Sequence, residues 1–410
     1  MARRRYAGDW GGVSMERQPS RGTVPILAMP RELAFTAEEY AARLARVRTR
    51  MDAEGLDFLL LHSLPNICWL TGFQTPLSDW YHCLIVPARG ELLLQCCDTE
   101  LAQQNSRLTR IAVVLWERMD EAGDQLAALL QDLGAEGRHI GVELRRPGLN
   151  AWTLERLQAG LPRALFVDAS DLTARLRAVK SAAEIACMRE AARLTDLGMA
   201  AGIAAIREEG LDNDIIAAAS QSMLAAGSEF FSIQPIVRTG HRSGVVHATG
   251  KRVPLKRGDN VFMEFGGVYQ RYCAPLLRTA VIGAPDARQK RLAEASLATL
   301  ERLYAAVKPG RSVREVALDA CKGYAHLLGE IQTRGYHGYS VGISFPPVWV
   351  EHSVGIRDDA DDILEPGMTF HTPRSLRVPG EVAMGFSETI LVTEDGCETL
   401  TRHPRELIIV

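Results

Sequence analysis

No apolar run in this 410-residue chain reaches the roughly 18–20 residues that a bilayer span requires, so no membrane-spanning helix is expected. Excess charge is missing as well. With 47 Lys and Arg against 50 Asp and Glu, the formal net charge is −3. That gives no electrostatic ground for a nucleic-acid or anionic-membrane partner. The eight cysteines (Cys68, Cys83, Cys96, Cys97, Cys187, Cys273, Cys321 and Cys397) nowhere show CxxC spacing. At this density they read as reduced cytosolic thiols, neither a disulfide framework nor a zinc cluster, and the expected location is cytoplasmic. GxGxxG and Walker-type loops are absent, which leaves nucleotide binding without support. The basic start MARRRY is not followed by the apolar stretch of a secretory signal.

What is present is an ordinary globular balance, 47% hydrophobic and 24% charged, at a length that suits two domains. Residues 1–34, rich in Gly, Arg, Ser and Pro up to Pro30, read as a flexible arm. Residues 35–175 alternate helix and strand and predict an α/β domain. Its first helix spans Phe35–Gly55, with Thr36 as N-cap and Glu39 closing a capping box. FLLLHS, HCLIVP and LLLQCC read as buried strands, and TGFQTPLSDWYH, with Trp80 and Tyr81, as a loop. Residues 176–410 predict an α+β domain of helices on a curved antiparallel sheet. Helices are expected at Lys180–Ile206, Asp212–Ala226, Pro285–Val307 and Val313–Gly329. FSETILVTEDG reads as two strands around Glu394-Asp395-Gly396.

The second half is organised around Val261–Thr279, VFMEFGGVYQRYCAPLLRT. VFMEF and VYQRY read as two strands around Gly266-Gly267, a hairpin. Glu264 stands inside the first, apolar run. A buried carboxylate is paired, neutralised or functional. The alternative is a Glu on the solvated face of an edge strand.

From Leu176 onward several segments, in order, resemble the creatinase/prolidase superfamily. RAVKSAAEIACMREAARLTDLGM is similar to the helix that opens its catalytic domain. LKRGDNVFMEFGGVYQRYCAPLLRT is similar to its "GD…DxG…Y…DxTRT" hairpin, GYSVG to its "GHxxG", and LEPGMTFHTP to its "xPGMxFxxEP". The resemblance implies the pita-bread fold for the second domain, with residues 35–175 as the family's smaller domain. Metal-dependent members use two Asp, one His and two Glu. Those positions here are Glu264, Pro275, Tyr339, Pro373 and Ser387, the last beside Glu388. Proline offers no side-chain ligand, so a dinuclear centre is not expected. A rebuilt single-metal site from His247, Glu264, His371 and Glu388 is the alternative.

Creatinase belongs to a metal-independent branch of this superfamily. MEFGGVYQRYCAPLLRT, YSVGISFPPVWVE and PGMTFH followed by SETILVTEDG are similar to the ectoine-hydrolase family within it. The resemblance implies hydrolysis of a small non-peptide C–N bond, the ring opening of a cyclic amidine, without metal or cofactor. It places His247 at the catalytic histidine and makes Glu264 a nucleophile or an activator of water. His371, Glu388 and Tyr339 are substrate-binding candidates, with a structural role as the alternative for each, and Arg374 and Arg377 are candidates for a carboxylate clamp, with solvated loop arginines as the alternative. Arg278 and Thr279 read as structural. Val348 and Val350 depart from the family pattern and are expected to shape the pocket. Trp80 and Tyr81 are expected to reach a neighbour's pocket in a homodimer, with an apolar core role as the alternative for at least one of them. The only partner expected is a small-molecule substrate. Three rivals stand beside this reading: a creatinase-like amidinohydrolase acting on a guanidino compound, an Xaa-Pro peptidase with a rebuilt metal site, and a non-catalytic binding protein. Ser340 fits G-x-S-x-G but lacks the strand–turn–helix setting of a serine hydrolase.

Overall fold

A computed structural model describes residues 33–97, 110–116, 119–333 and 335–410, so most of the predicted arm lies outside the described residues. Helix α1 (Ala37–Ala53) opens on Thr36, whose hydroxyl accepts the Glu39 N–H at 3.4 Å. Gly55, in the left-handed region at φ +67°, follows its end. The Glu39 carboxylate departs from the predicted capping box and holds the Arg43 guanidinium at 3.1 Å. Six strands follow: β1 (Phe58–Leu61), β2 (Cys83–Pro87), β3 (Leu93–Cys97), β4 (Arg110–Trp116), β5 (His139–Val142) and β6 (Leu165–Asp168). They form one sheet in the order β4-β3-β2-β1-β5-β6. FLLL of β1 is buried on both faces because it runs through the middle of that sheet.

Sequence periodicity missed helix α2 (Leu64–Thr71). Seven of its eight residues are buried, so no polar stripe marks its period. Helices α3 (Ala122–Asp132) and α4 (Ala151–Gly160) complete this half, and α5 (Leu172–Ala178) leads into the next.

Helix α6 (Ala182–Ala204) is opened by a capping box: Ser181 Oγ accepts the Glu184 N–H, and Glu184 accepts the Ser181 N–H at 2.8 Å. Helices α7 (Asp212–Ala225), α8 (Ala287–Ala306) and α9 (Val313–Cys321) follow. The last is shorter than predicted; beyond it only a single 3₁₀ turn, Ala325–Leu327, forms before Gly329. Among the described residues no helix is long and apolar enough to cross a membrane.

The strands of this half are β7 (Ile236–Thr239), β8 (Asn260–Phe265), β9 (Val268–Tyr269), β10 (Tyr272–Cys273), β11 (Leu276–Val281), β12 (Tyr336–Phe345), β13 (Val348–Arg357), β14 (Thr369–His371), β15 (Arg374–Val378), β16 (Val382–Phe386), β17 (Thr389–Val392), β18 (Cys397–Thr399) and β19 (Ile408–Ile409). One sheet runs β19-β11-β8-β7. Another runs β18-β17-β14-β12-β10-β9, with β13 also on β12, and β15 pairs β16 as a ribbon. The predicted hairpin exists in a different form. Its tight turn is Gln270-Arg271, both at positive φ (50° and 68°), joining β9 to β10. Gly266-Gly267 is instead a crossing point. A Cβ on Gly266 would overlap Ser232 Oγ and lie 3.2 Å from Trp349, and one on Gly267 would meet α6 at Leu194, 2.8 Å away. β8 pairs directly with β11, which places Leu277 opposite Glu264.

Candidate active site

Strand alternation gives β8 two characters. Val261, Met263 and Phe265 join the core beneath the sheet. Phe262 and Glu264 face the other way and line a pocket of about 190 Å³. β8 lies between β7 and β11, so Glu264 is not on a solvated edge. It is 8% exposed. Burial pushes its carboxyl up to about 7, against the pull of Arg238 and Arg377. A carboxyl titrating there is poised to exchange protons at neutral pH.

Cross-strand pairing brings the first guanidinium. Arg238 on β7 sits opposite Phe262, and its guanidinium carbon lies 3.9 Å from the ring centroid. The β15–β16 ribbon adds Arg374 and Arg377, and β12 adds Tyr336 and Tyr339. Arg238 donates to Val245 O at 2.8 Å, and Arg374 to His337 Nδ1 at 3.1 Å. Both arginines are buried, and among the described residues their hydrogen bonds go to neutral acceptors. Burial pushes Arg238 down to about 10. The pocket therefore gathers three cations around one carboxyl, a setting that favours an anionic ligand.

His247 lines the same pocket from the loop after the 3₁₀ turn Gly240–Gly244. Its backbone is left-handed (φ 55°), an uncommon state for a residue with a side chain. Partial burial lowers its pKa, and Arg238 and Arg377 lower it further, so the imidazole is neutral at pH 7.

Several expected site residues lie elsewhere. His371 is fully buried behind Tyr339, with Nδ1 2.8 Å from Tyr339 Oη and Nε2 2.6 Å from Ser387 Oγ; it does not line the pocket. Glu388 turns away from the pocket and accepts from Arg278 at 2.7 Å and from the Thr401 hydroxyl. Arg278, itself fully buried, also donates to Ser387 O and Pro404 O, so the pair fastens the C-terminal segment to β11. Tyr81 is 2% exposed within the first domain's core and Trp80 packs against that core, so Tyr81 has no surface to offer a neighbour. Val348 and Val350 face a separate cleft of about 450 Å³ between the two halves; alternation along β13 sends only Trp349 toward Tyr339. Sequence reasoning missed Arg238 and His337. Arg238 carried the same signal as Glu264, a charge inside an apolar strand.

The metal sets fit poorly. Pro275 and Pro373 offer no side-chain donor, and the His371 and Glu388 donors are already engaged. Among the described residues no three His, Cys, Asp or Glu side chains form a metal-binding group, which counts against the rebuilt single-metal site.

The chain matches two family models: the creatinase/prolidase N-terminal domain over residues 43–179, and metallopeptidase family M24 over residues 186–394. It is similar to the ectoine hydrolase of Halomonas elongata, 32% identical over 396 residues, covering 92% of this chain and 98% of that one. An Xaa-Pro dipeptidase of Pyrococcus horikoshii is 26% identical, covering 87% and 96% of the two chains. The fold of a prolidase from Thermococcus sibiricus superposes with a TM-score of 0.81 at 20% identity, over 92% of this chain and all of that one. A creatinase-type α/β domain followed by a pita-bread α+β domain, in which a buried glutamate and three arginines occupy the pocket, is thus the form that metallopeptidase family M24, to which this chain belongs, takes here.

Proposed function

We propose that this M24-family hydrolase opens a small, carboxylate-bearing cyclic amidine of the ectoine type without a metal ion. The observation that carries the reading is Glu264: a buried carboxyl titrating at about 7, among guanidinium groups, in a pocket whose residues do not fit a metal centre. Similarity to a protein named ectoine hydrolase supports the substrate class. Arg374 and Arg377 hold the substrate carboxylate; planar guanidinium forks suit that geometry. Glu264 either attacks the amidine carbon or takes a proton from the water that does. Over the whole cycle one ring C–N bond breaks, the amidine carbon gains one C–O bond, and the two hydrogens of water end on the nitrogens. If Glu264 attacks, water then cleaves the bond between its carboxylate and the substrate and restores the carboxylate; if water attacks, its oxygen becomes the amide oxygen directly. His247, neutral at rest, takes up one of the protons released by water and passes it to the departing nitrogen.

The test is ectoine consumption by the purified protein, with and without a chelator, following an acetyl-diaminobutyrate product. Turnover that survives the chelator is expected. Glu264→Gln should lower kcat at least ~100-fold, the scale of a lost proton-transfer group. A variant that keeps most of its activity would remove Glu264 from the chemistry. The relatives named Xaa-Pro dipeptidase favour a second reading, metal-dependent cleavage of Xaa-Pro bonds. It requires chelator-sensitive release of proline, and the donor set weighs against it. Urea release from guanidino compounds would identify an amidinohydrolase instead.

A further inference from the structure

Behind the pocket, three side chains fix the direction of a fourth. Tyr339 and His371 are cross-strand neighbours on β12 and β14. Tyr339 Oη lies 2.9 Å from Trp349 Nε1 and 2.8 Å from His371 Nδ1. His371 Nε2 lies 2.6 Å from Ser387 Oγ, which also accepts the Leu277 N–H at 2.8 Å. The chemistry of each atom sets which way these bonds run.

An indole N–H only donates, so Trp349 fills one lone pair of Tyr339 Oη. Ser387 is fully buried, and among the described residues His371 Nε2 is the one acceptor within reach of its hydroxyl. If His371 donated here instead, the Ser387 proton would be buried without a partner, at the full cost of its lost hydration. Ser387 therefore donates and Nε2 accepts. Burial keeps the His371 ring neutral, with its pKa pushed down to about 3, so its single proton sits on Nδ1. That proton goes to the second lone pair of Tyr339 Oη. With both lone pairs filled, the Tyr339 O–H is left to donate away from Trp349 and His371, and the pocket that Tyr339 lines together with Glu264 is the space open to it. Burial raises the phenol well above its usual pKa and keeps that proton in place.

The geometry points to Tyr339 as a fixed hydrogen-bond donor to the substrate, with His371 as a neutral positioning residue and Trp349 and Ser387 as its locks. The donor stabilises the substrate atom that gains negative charge as the reacting carbon becomes tetrahedral. This use of the donor rests on the hydrolase reading above; its direction does not.

The two are tested separately. In protein labelled with ¹⁵N-histidine, long-range proton–nitrogen spectra should show one ring, assigned with His371→Gln, as the neutral Nδ1–H tautomer at both pH 5 and pH 8. Tyr339→Phe should perturb that ring's Nδ1–H. An Nε2–H tautomer, or a ring that protonates in this range, would overturn the assignment whatever the enzyme turns over. With ectoine as the probe, Tyr339→Phe should lower kcat about 100-fold, the loss typical of one preorganised donor, with KM nearly unchanged and the melting temperature retained. Trp349→Phe should give a smaller loss in kcat. Wild-type kcat in Tyr339→Phe would overturn the catalytic use. Absence of ectoine turnover by the wild type would count against the hydrolase reading, and the spectra would still decide the direction.

Discussion

Glu264 shows how one residue can serve function against stability. Its carboxyl titrates at about 7 in the fold against an ordinary 4.5. Between those values the folded chain holds a proton that the unfolded chain has released, so this group's contribution to stability falls as pH rises through that window. At roughly 1.4 kcal/mol per pKa unit, the ionised form costs about 3 kcal/mol above neutrality. Glu264→Gln should therefore stabilise the protein at pH 8 by up to about 3 kcal/mol, with the gain fading by pH 5, while activity is lost. Urea unfolding at the two pH values measures it; a gain equal at both, or none at pH 8, would refute the account. Activity of the wild type should rise with pH through about 7 and then level, because the base or nucleophile is the ionised carboxyl.

At the scale of elements, the site depends on how closely β8 approaches its neighbours. Gly266 ends β8 where Ser232 donates to its carbonyl at 2.9 Å and Trp349 packs alongside. An added methyl has no room there. Gly266→Ala should cost about 1–3 kcal/mol by overpacking. It should also reduce activity, because the displaced Trp349 would release Tyr339. A thermal melt and a kcat measurement on this variant check both. A silent substitution would mean that the loop carrying Ser232 yields freely. Sequence pattern identified β8 and Glu264 but misplaced the turn. Gln270-Arg271 carries no glycine, and its left-handed residues are held by tertiary contacts: Glu229 accepts from the Gln270 N–H at 2.8 Å, and the Arg271 guanidinium lies over Phe230 and Phe345.

Across the whole molecule, buried charge joins the two halves. Glu351 on β13 accepts from Arg177 of α5 at 2.7 Å and from Lys180 at 2.6 Å, all three buried, and Arg177 also donates to Asn66 of α2. Burial opposes ionisation of Glu351, but Lys180 and Arg177 overcome it and hold its pKa below the usual carboxylate range. Its contribution is therefore present above the ordinary carboxylate pKa and is lost as pH falls below it. Glu351→Ala leaves two buried cations without their partner and should cost about 3–5 kcal/mol in denaturant unfolding at pH 7. Asp361→Ala, which breaks an exposed pair with Arg314, should cost about 1 kcal/mol or less. Equal effects would show that burial does not set the strength of these pairs.

Local sequence was enough for the two-part architecture, for the approximate ends of most of the helices it named, for the Thr36 cap of α1, and for the charged position inside β8. These depend on neighbours a few residues apart. It was also enough to count against a two-metal centre, because proline at 275 and 373 offers no side-chain donor wherever the chain places it. Only the tertiary structure decided which candidates share a pocket. Arg238 reaches Glu264's face through β7–β8 register, while Glu388 is drawn to Arg278 and Tyr81 into the first domain's core. Proximity between strands distant in sequence, and the burial that sets each proton's position, belong to no single segment of the chain.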